Sequence, residues 1–381
     1  MALSLFNKNK NTFTALFDIG AGSVTASVIS LPSDTDKSGP TIVWHYEIKL
    51  DFHTRPDKRR LLSKVLDATQ TVAGAMHRDW PEAINEAHVV LASPFYRALT
   101  KTVQFEHDEP FTLNQGLLDK IQTDEIAKFL ATAKKPFADL PRDEAVMLEY
   151  RLLSVLADGE LLNEPYKRGV QNVELTEYLS LGSEVIIKRL KQIIIGAGHF
   201  KKVNFHSYLL TVAAVLAALY KENDFLVVDA GGERTDVGLV QNGLLINQYS
   251  FSLSPKHLAR LAAQKQLTTR GEAATLVHLH PEHRLWSDHR GEWWRNFKQA
   301  LSRFGAPEEA PRQVFVGAET NYQPLLAGWL KELDFKPVLL TPDWLTNWCA
   351  VAPGVQGASE YSPLLAAMFL AQVASEGPEL L

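Results

Sequence analysis

The chain has 381 residues, 46% hydrophobic and 22% charged, with a formal net charge of −5. That is enough for a large core and too much for one small domain, and the mild acidity leaves no global basic field for nucleic acid. A single cysteine, Cys349, excludes an internal disulfide and fits a reducing compartment; residues 1–12 lack the apolar run of a signal peptide, and no stretch reaches the roughly 20 apolar residues of a membrane span.

In chain order, the run from Ala15 to Ile29 reads as an apolar strand ending on Asp18, a turn with Gly20, Ala21, Gly22 and Ser23, and a returning strand. A Pro- and Ser-rich loop, Pro32 to Pro40, leads to a third strand over Thr41–Phe52. Arg59 to Trp80 carries Leu62, Val65, Leu66, Val72, Ala73 and Met76 on one helical face. From about residue 86 the texture changes: strands are expected at His88–Ser93 and Tyr96–Phe105, a helix over Asn114–Lys134, and strands over Ala145–Ala157 and Asn172–Leu181. A helix over Ser183–Ile195 is expected to end at Gly196 as its C-cap. A short strand (Lys202–His206) and an alanine-rich helix (Thr211–Tyr220) follow.

The run from Phe225 to Val240 repeats the opening pattern: apolar strand, Asp229, Gly231, Gly232, then Thr235 and Asp236 opening a returning strand. Another strand is expected over Leu244–Phe251, and helices over Pro255–Gln266, Arg270–Val277 and Glu292–Arg303. The tract with His278, His280, His283, His289, Trp286, Trp293 and Trp294 reads as a polar loop with aromatic anchors, because histidines two apart converge on a metal only from a strand. Gln313–Asn321 reads as a strand and turn, with Gly317, Ala318 and Glu319, before a helix over Tyr322–Leu333 for which Thr320 is the candidate N-cap. The apolar Ser362–Val373 closes the chain as a core helix, since no basic residue follows Lys336 to make a membrane-surface face. Cys349, in an apolar segment, reads as a core filler.

Glycine turns bring backbone N–H groups close to an anion. A carboxylate beside such a turn repels bare phosphate unless Mg²⁺ or its waters intervene. Two turns of this kind about 200 residues apart imply two similar halves closing on one nucleotide.

The paired turns around Asp18 and Asp229 resemble the two phosphate motifs of the actin-like ATPase superfamily, and the block inserted after residue 86 resembles the 1C or SHS2 insertion of its FtsA and PilM members, with FtsA slightly nearer. The resemblance implies an α/β, two-domain actin-like (ribonuclease H-like) fold. Its parts would be subdomain 1A (1–86 and 182–222), the inserted SHS2/1C subdomain (87–181), subdomain 2A (223–253 and 310–381) and a helical 2B (254–309). It implies ATP bound by Asp18, Gly20, Ala21, Gly22, Ser23, Asp229, Gly231, Gly232, Thr235, Asp236 and Gly317. Asp18 and Asp229 would hold Mg²⁺ through water, and Asp229 would orient a hydrolytic water.

The sequence departs from the family at three points. Gly317 is the one glycine left in the adenosine motif, and Glu319 follows it. No Glu-x-x-Lys pair stands at Arg270–Val277, and Arg234 replaces a glycine or threonine. The phosphate half of the site therefore reads as intact and the base half as degraded. The implied role is a cytosolic, FtsA-like division scaffold, at most a slow ATPase, that self-associates or reaches the membrane through a division-ring or other partner without an anchor of its own. The alternatives are a PilM-like type IV pilus scaffold binding an inner-membrane protein's cytoplasmic tail beside 1C, a nucleotide-free binding module, and a small-molecule kinase.

Overall fold

A computed structural model describes residues 12–32, 39–51, 57–132, 144–162, 169–221, 223–266, 272, 286–319, 322–357 and 360–376. Three sheets organise it. The first contains β1 (Thr12–Ile19), β2 (Ser23–Leu31), β3 (Thr41–Lys49), β4 (Glu86–Leu91), β9 (Lys202–Ser207) and β15 (Ala350–Val351), in the order β15-β3-β2-β1-β4-β9. The second contains β10 (Phe225–Ala230), β11 (Thr235–Gln241), β12 (Leu244–Phe251), β13 (Gln313–Ala318) and β14 (Lys336–Leu339), in the order β12-β11-β10-β13-β14.

Both sheets follow one scheme. An antiparallel meander of three strands continues into parallel strands beside its first member. Register makes the two aspartates equivalent: Asp18 stands opposite Thr25 and beside Val90, and Asp229 opposite Asp236 and beside Gly317. The two-half expectation read from the turns is thus realised in the pairing.

The third sheet, β5-β8-β6-β7, lies between β4 and β9 in the chain and is built from β5 (Tyr96–Thr112), β6 (Ala145–Ala157), β7 (Glu160–Leu161) and β8 (Gly169–Ser183), with helix α2 (Gln115–Thr132) on it. Its small core joins Leu118 and Ile121 to Val155, Val173 and Leu175. The sequence places β4 in this insertion, but β4 pairs in parallel with β1 and β9, so the first sheet keeps it and the insertion begins with β5. The reason is composition: Val89, Val90 and Leu91 are fully buried, the apolar run of a strand covered on both faces.

Helix α1 (Lys58–Asp79) starts at Asp57, whose carboxylate accepts from the N–H groups of Arg59 and Arg60. Its apolar stripe, including Leu62, Val65, Val72 and Met76, is buried as expected. Helix α3 (Glu184–Gly198) runs through Gly196 instead of stopping there; the left-handed C-cap residue is His199, at φ 55°. Helix α4 (Tyr208–Leu219) is apolar nearly all round because both halves cover it. The strand β10 divides the cores: Phe225 and Val227 join the first half's core through α4, and Leu226 and Val228 face the other way. There they pack with α5 (Pro255–Gln266), α6 (Trp286–Phe304) and α7 (Gln323–Lys331).

A short helix, α8 (Pro342–Leu345), precedes β15, and Cys349 is a buried core residue. The last helix, α9 (Tyr361–Glu376), packs its Leu364, Leu365, Phe369 and Leu370 into the first half's core, and β15 pairs with β3. The C-terminal residues therefore return to the first half, whereas the sequence reading keeps 310–381 wholly in the second. Thr320, the expected N-cap of α7, the expected helix over Arg270–Val277 apart from Glu272, and His278, His280 and His283 lie outside the described residues.

Candidate functional site

The β1–β2 and β10–β11 turns face each other, and a small cavity of about 90 Å³ lies between them. It is lined by Asp18, Gly20, Ala21, Gly22, Ser23, Asp229, Gly231, Gly232 and Asp236, so the structure brings nine of the expected residues to one place. Thr235 and Gly317 are not among them. The Thr235 hydroxyl donates to the Leu253 carbonyl and is fully buried, a structural bond that pins the start of β11. Gly317 is covered by the ring of Tyr361: a Cβ on Gly317 would meet that ring at 2.6 Å.

Tyr361 and Ser362, at the start of α9, supply what sequence reasoning missed. The Tyr361 hydroxyl donates to Asp229 Oδ1 at 2.6 Å, and the Ser362 hydroxyl donates to Asp18 Oδ2 at 2.5 Å. Each aspartate expected to hold Mg²⁺ is thus engaged by an O–H group of the chain itself. The available signal was the pair of hydroxyl residues before Pro363, which marks a helix start. Asp236 accepts from Ser93 Oγ at 2.9 Å. Lys256 of α5 reaches the first turn and donates to the carbonyls of Ala21 (2.9 Å) and Leu50 (2.7 Å), tying the two halves together.

The turns themselves touch. A Cβ built on Gly232 would stand 2.4 Å from the Gly22 nitrogen and 2.5 Å from the Ala21 carbonyl carbon. Glycine is needed at 232 for this close approach of two backbones. Glu319 also points here, with Oε1 3.9 Å from where a Cβ on Gly22 would lie.

Electrostatics follow from burial. The Asp229 carboxyl is pushed up to about 8, first by desolvation and then by Asp236 across the ladder. Asp18 is raised to about 6, again chiefly by desolvation. Asp236 is raised for the same reason. The cavity wall carries six carboxyl groups (Asp18, Glu47, Asp229, Asp236, Glu319, Glu360) against two cations, Lys49 and Arg234. Lys49 pairs with Glu360 at 3.0 Å. Arg234 turns away to Ser250 and Ser252.

A nucleoside triphosphate with Mg²⁺ does not fit this arrangement. Ligand pockets measure roughly 300–1,000 Å³, and the turns are in backbone contact. Among the described residues no group of three His, Cys, Asp or Glu is placed to hold a metal ion. His289 of the His/Trp tract stacks on His257 at 5.2 Å beneath Trp329, buried in the second core.

No protein-family profile matches the sequence, and no curated protein matches it significantly. Solved structures do. A chain of a PilM-PilN type IV pilus biogenesis complex superposes with a TM-score of 0.63 at 14% identity, covering 96% of this chain and 100% of that one. The ethanolamine utilization protein EutJ from Carboxydothermus hydrogenoformans gives 0.49 at 13% identity, covering 95% of this chain and 92% of that one. The two matched sheet schemes, the facing Asp turns and the near-complete superposition on the pilus complex chain have one meaning: this chain has the actin-like ATPase fold.

Proposed function

We propose that the chain is a PilM-like scaffold whose actin-type cleft is closed by its own residues, and that it works by holding an extended tail of an inner-membrane partner. The carrying observation is a groove of about 1,320 Å³ between the first sheet and the insertion. Two strand edges line it. The strand β9 ends the first sheet, and β6 has no outer neighbour before Leu156 among the described residues. Lys202–His206 of β9 and Leu148–Arg151 of β6 form its walls, with Phe13, Leu370 and Val373 supplying apolar surface. Open edges offer unpaired backbone groups, and an extended peptide binds such edges by strand addition.

Glu149 of β6 accepts from the Ser207 N–H (3.0 Å) and hydroxyl (2.8 Å) and bonds His206 at 3.3 Å, while His206 bonds His88 at 2.9 Å. These bonds lock the insertion to the first sheet and keep the Glu149 carboxyl below its ordinary range despite burial. No helix among the described residues is long and apolar enough to cross a membrane, so the proposed membrane contact runs through the partner. The groove and the likeness to a pilus complex chain favour this reading over the division scaffold, for which no comparable feature stands out.

The test is binding of labelled cytoplasmic tail peptides, taken from inner-membrane pilus proteins of the same genome, by fluorescence anisotropy. Asn204→Trp, which fills the groove from half-buried β9, is expected to weaken binding at least tenfold, a loss of about 1.4 kcal/mol or more. Tyr46→Ser on exposed β3 is expected to leave it unchanged. Equal affinities in the two variants would sink the groove. The closed cleft makes a separate prediction: calorimetry with ATP and Mg²⁺ gives no binding heat at millimolar nucleotide. Micromolar binding that Asp229→Ala removes would restore a nucleotide-gated scaffold.

A further inference from the structure

Behind the closed cleft lies a second cavity of about 590 Å³, at the seam where the start of α1, the segment after β4 and the edge of β12 meet. Its size falls in the range of small-molecule sites, roughly 300–1,000 Å³. The guanidinium groups of Arg97, Arg234 and Arg303 line it. Arg234 leaves the second turn, crosses the edge of β12 and donates from Nε to Ser250 Oγ (2.7 Å), from Nη2 to the Ser250 carbonyl (2.9 Å) and from Nη1 to Ser252 Oγ (3.1 Å). A guanidinium has five N–H donors, so two remain after these three bonds. All three acceptors are neutral, so the bonds fix the orientation of the group; its charge also acts on the buried Asp236 carboxyl, drawing it down against the rise that burial causes.

Arg303, at the end of α6, is exposed and lies over the Tyr249 ring, its Cζ 4.6 Å from the centroid. It too lines the cavity, as do Lys58 and Arg97. The acid on the wall is Asp236, whose carboxylate already accepts from Ser93. The charge balance is therefore the reverse of the front cleft, where six carboxyl groups face two cations. Arginine at 234, the departure from glycine or threonine noted in the sequence, places a cation between the two cavities, since it lines both.

We propose that this rear cavity is a binding site for a small phosphorylated molecule, with its phosphate held between Arg234 and Arg303 and its organic part against Tyr249 and Phe95. Guanidinium groups match phosphate oxygens in bidentate fashion, and an aromatic wall accepts a planar or apolar body. The site is independent of the partner groove and is assigned to the seam between the two halves, so its occupancy would bear on their angle.

Titration calorimetry without Mg²⁺, using inorganic phosphate, pyrophosphate and ADP, tests the proposal on the wild type and two variants. Arg303→Gln removes an exposed cation of the rear cavity. Lys49→Gln removes a cation of the front cleft and serves as the comparison. The expected result is binding of at least one probe that Arg303→Gln weakens tenfold or more and Lys49→Gln leaves unchanged, since one charge-assisted contact is worth about that factor. Both replaced side chains are exposed, so both variants are expected to melt as the wild type does. Loss on Lys49→Gln instead, equal loss in both variants, or no heat with any probe at millimolar concentration would overturn it.

Discussion

Replacing Gly232 by alanine is expected to destabilise the protein by about 3 kcal/mol, the upper part of the range for overpacking, while Gly22→Ala costs well under 1 kcal/mol. The asymmetry comes from what each new Cβ meets. At Gly232 it strikes backbone atoms of the facing turn: the Gly22 nitrogen at 2.4 Å, the Ala21 carbonyl carbon at 2.5 Å and the Gly22 Cα at 2.6 Å. Backbone cannot rotate away, so the two halves must part. At Gly22 the nearest atom is the Gly232 Cα, at 3.4 Å, an ordinary contact. Neither glycine has a positive φ, so conformational strain does not enter and the difference reports contact alone. Thermal unfolding of the two variants, with hydrogen exchange over residues 20–23 and 231–234, checks this. If Gly232→Ala melts like Gly22→Ala, the turns stand apart in solution, and the cleft has room between them for a triphosphate.

That contact also marks the limit of what the residues reveal in sequence. The pattern of an apolar run, an acid and glycines identified both hairpins, because local strand and turn chemistry determine them. Their equivalence held in the register, with Asp18 opposite Thr25 and Asp229 opposite Asp236. The apolar stripe of α1 was legible for the same reason: its period is a local property. The glycines at 22 and 232 were read as a cradle for phosphate, yet here the same absence of side chains lets two backbones pack on each other. Sequence cannot separate those two uses of glycine, since both need only a missing Cβ.

The misassigned parts depend on long-range packing. The strand β4 was grouped with its chain neighbours β5 and β8, although its partner β1 lies some 70 residues earlier, with Phe17 beside Val89. The end of α3 was placed at Gly196, but the helix continues to Gly198 and His199 takes the left-handed position. Glycine is the usual residue there, and with Gly196 and Gly198 both just ahead the glycine rule points to the wrong residue. In the sequence, Ser362 reads only as the start of a core helix and Tyr361 lies outside it. Their hydroxyls reach Asp229 and Asp18 across sequence gaps of 132 and 344 residues, which no local pattern encodes. Glu319, by contrast, was legible as a misfit, and it does stand in the cavity wall.

The sharpest test of the self-closed cleft is the pH dependence of Asp229→Asn. Asp229 is buried, receives the Tyr361 hydroxyl, and faces Asp236 directly across the ladder. Its carboxyl is raised from 3.8 to about 8. The folded state therefore holds a proton that the unfolded chain releases, so this group's contribution to stability is fully present below the unfolded value and is lost as pH rises toward 8. Asp18 acts in the same sense up to about 6. His45 and His88 act oppositely: burial lowers them to about 4 and about 3, so their stabilisation is present above the unfolded value of 6.5 and fades as pH falls below it. Both proteins carry the same histidines and Asp18, so between pH 6.5 and 8 those slopes cancel in the comparison with Asp229→Asn and the Asp229 slope stands clear. At 1.36 kcal/mol per unit, the wild type should lose about 2 kcal/mol relative to Asp229→Asn across that interval. Asparagine keeps a carbonyl oxygen to accept from Tyr361 and carries no charge, so the variant should be the more stable protein at pH 8. Urea unfolding at three pH values reads the slope directly. Parallel curves for the two proteins would mean that Asp229 is ionised throughout, the state a Mg²⁺-binding carboxylate needs. A wild-type slope that the variant lacks would mean that a proton and a tyrosine hydroxyl hold the place where a metal-binding carboxylate would have to be charged.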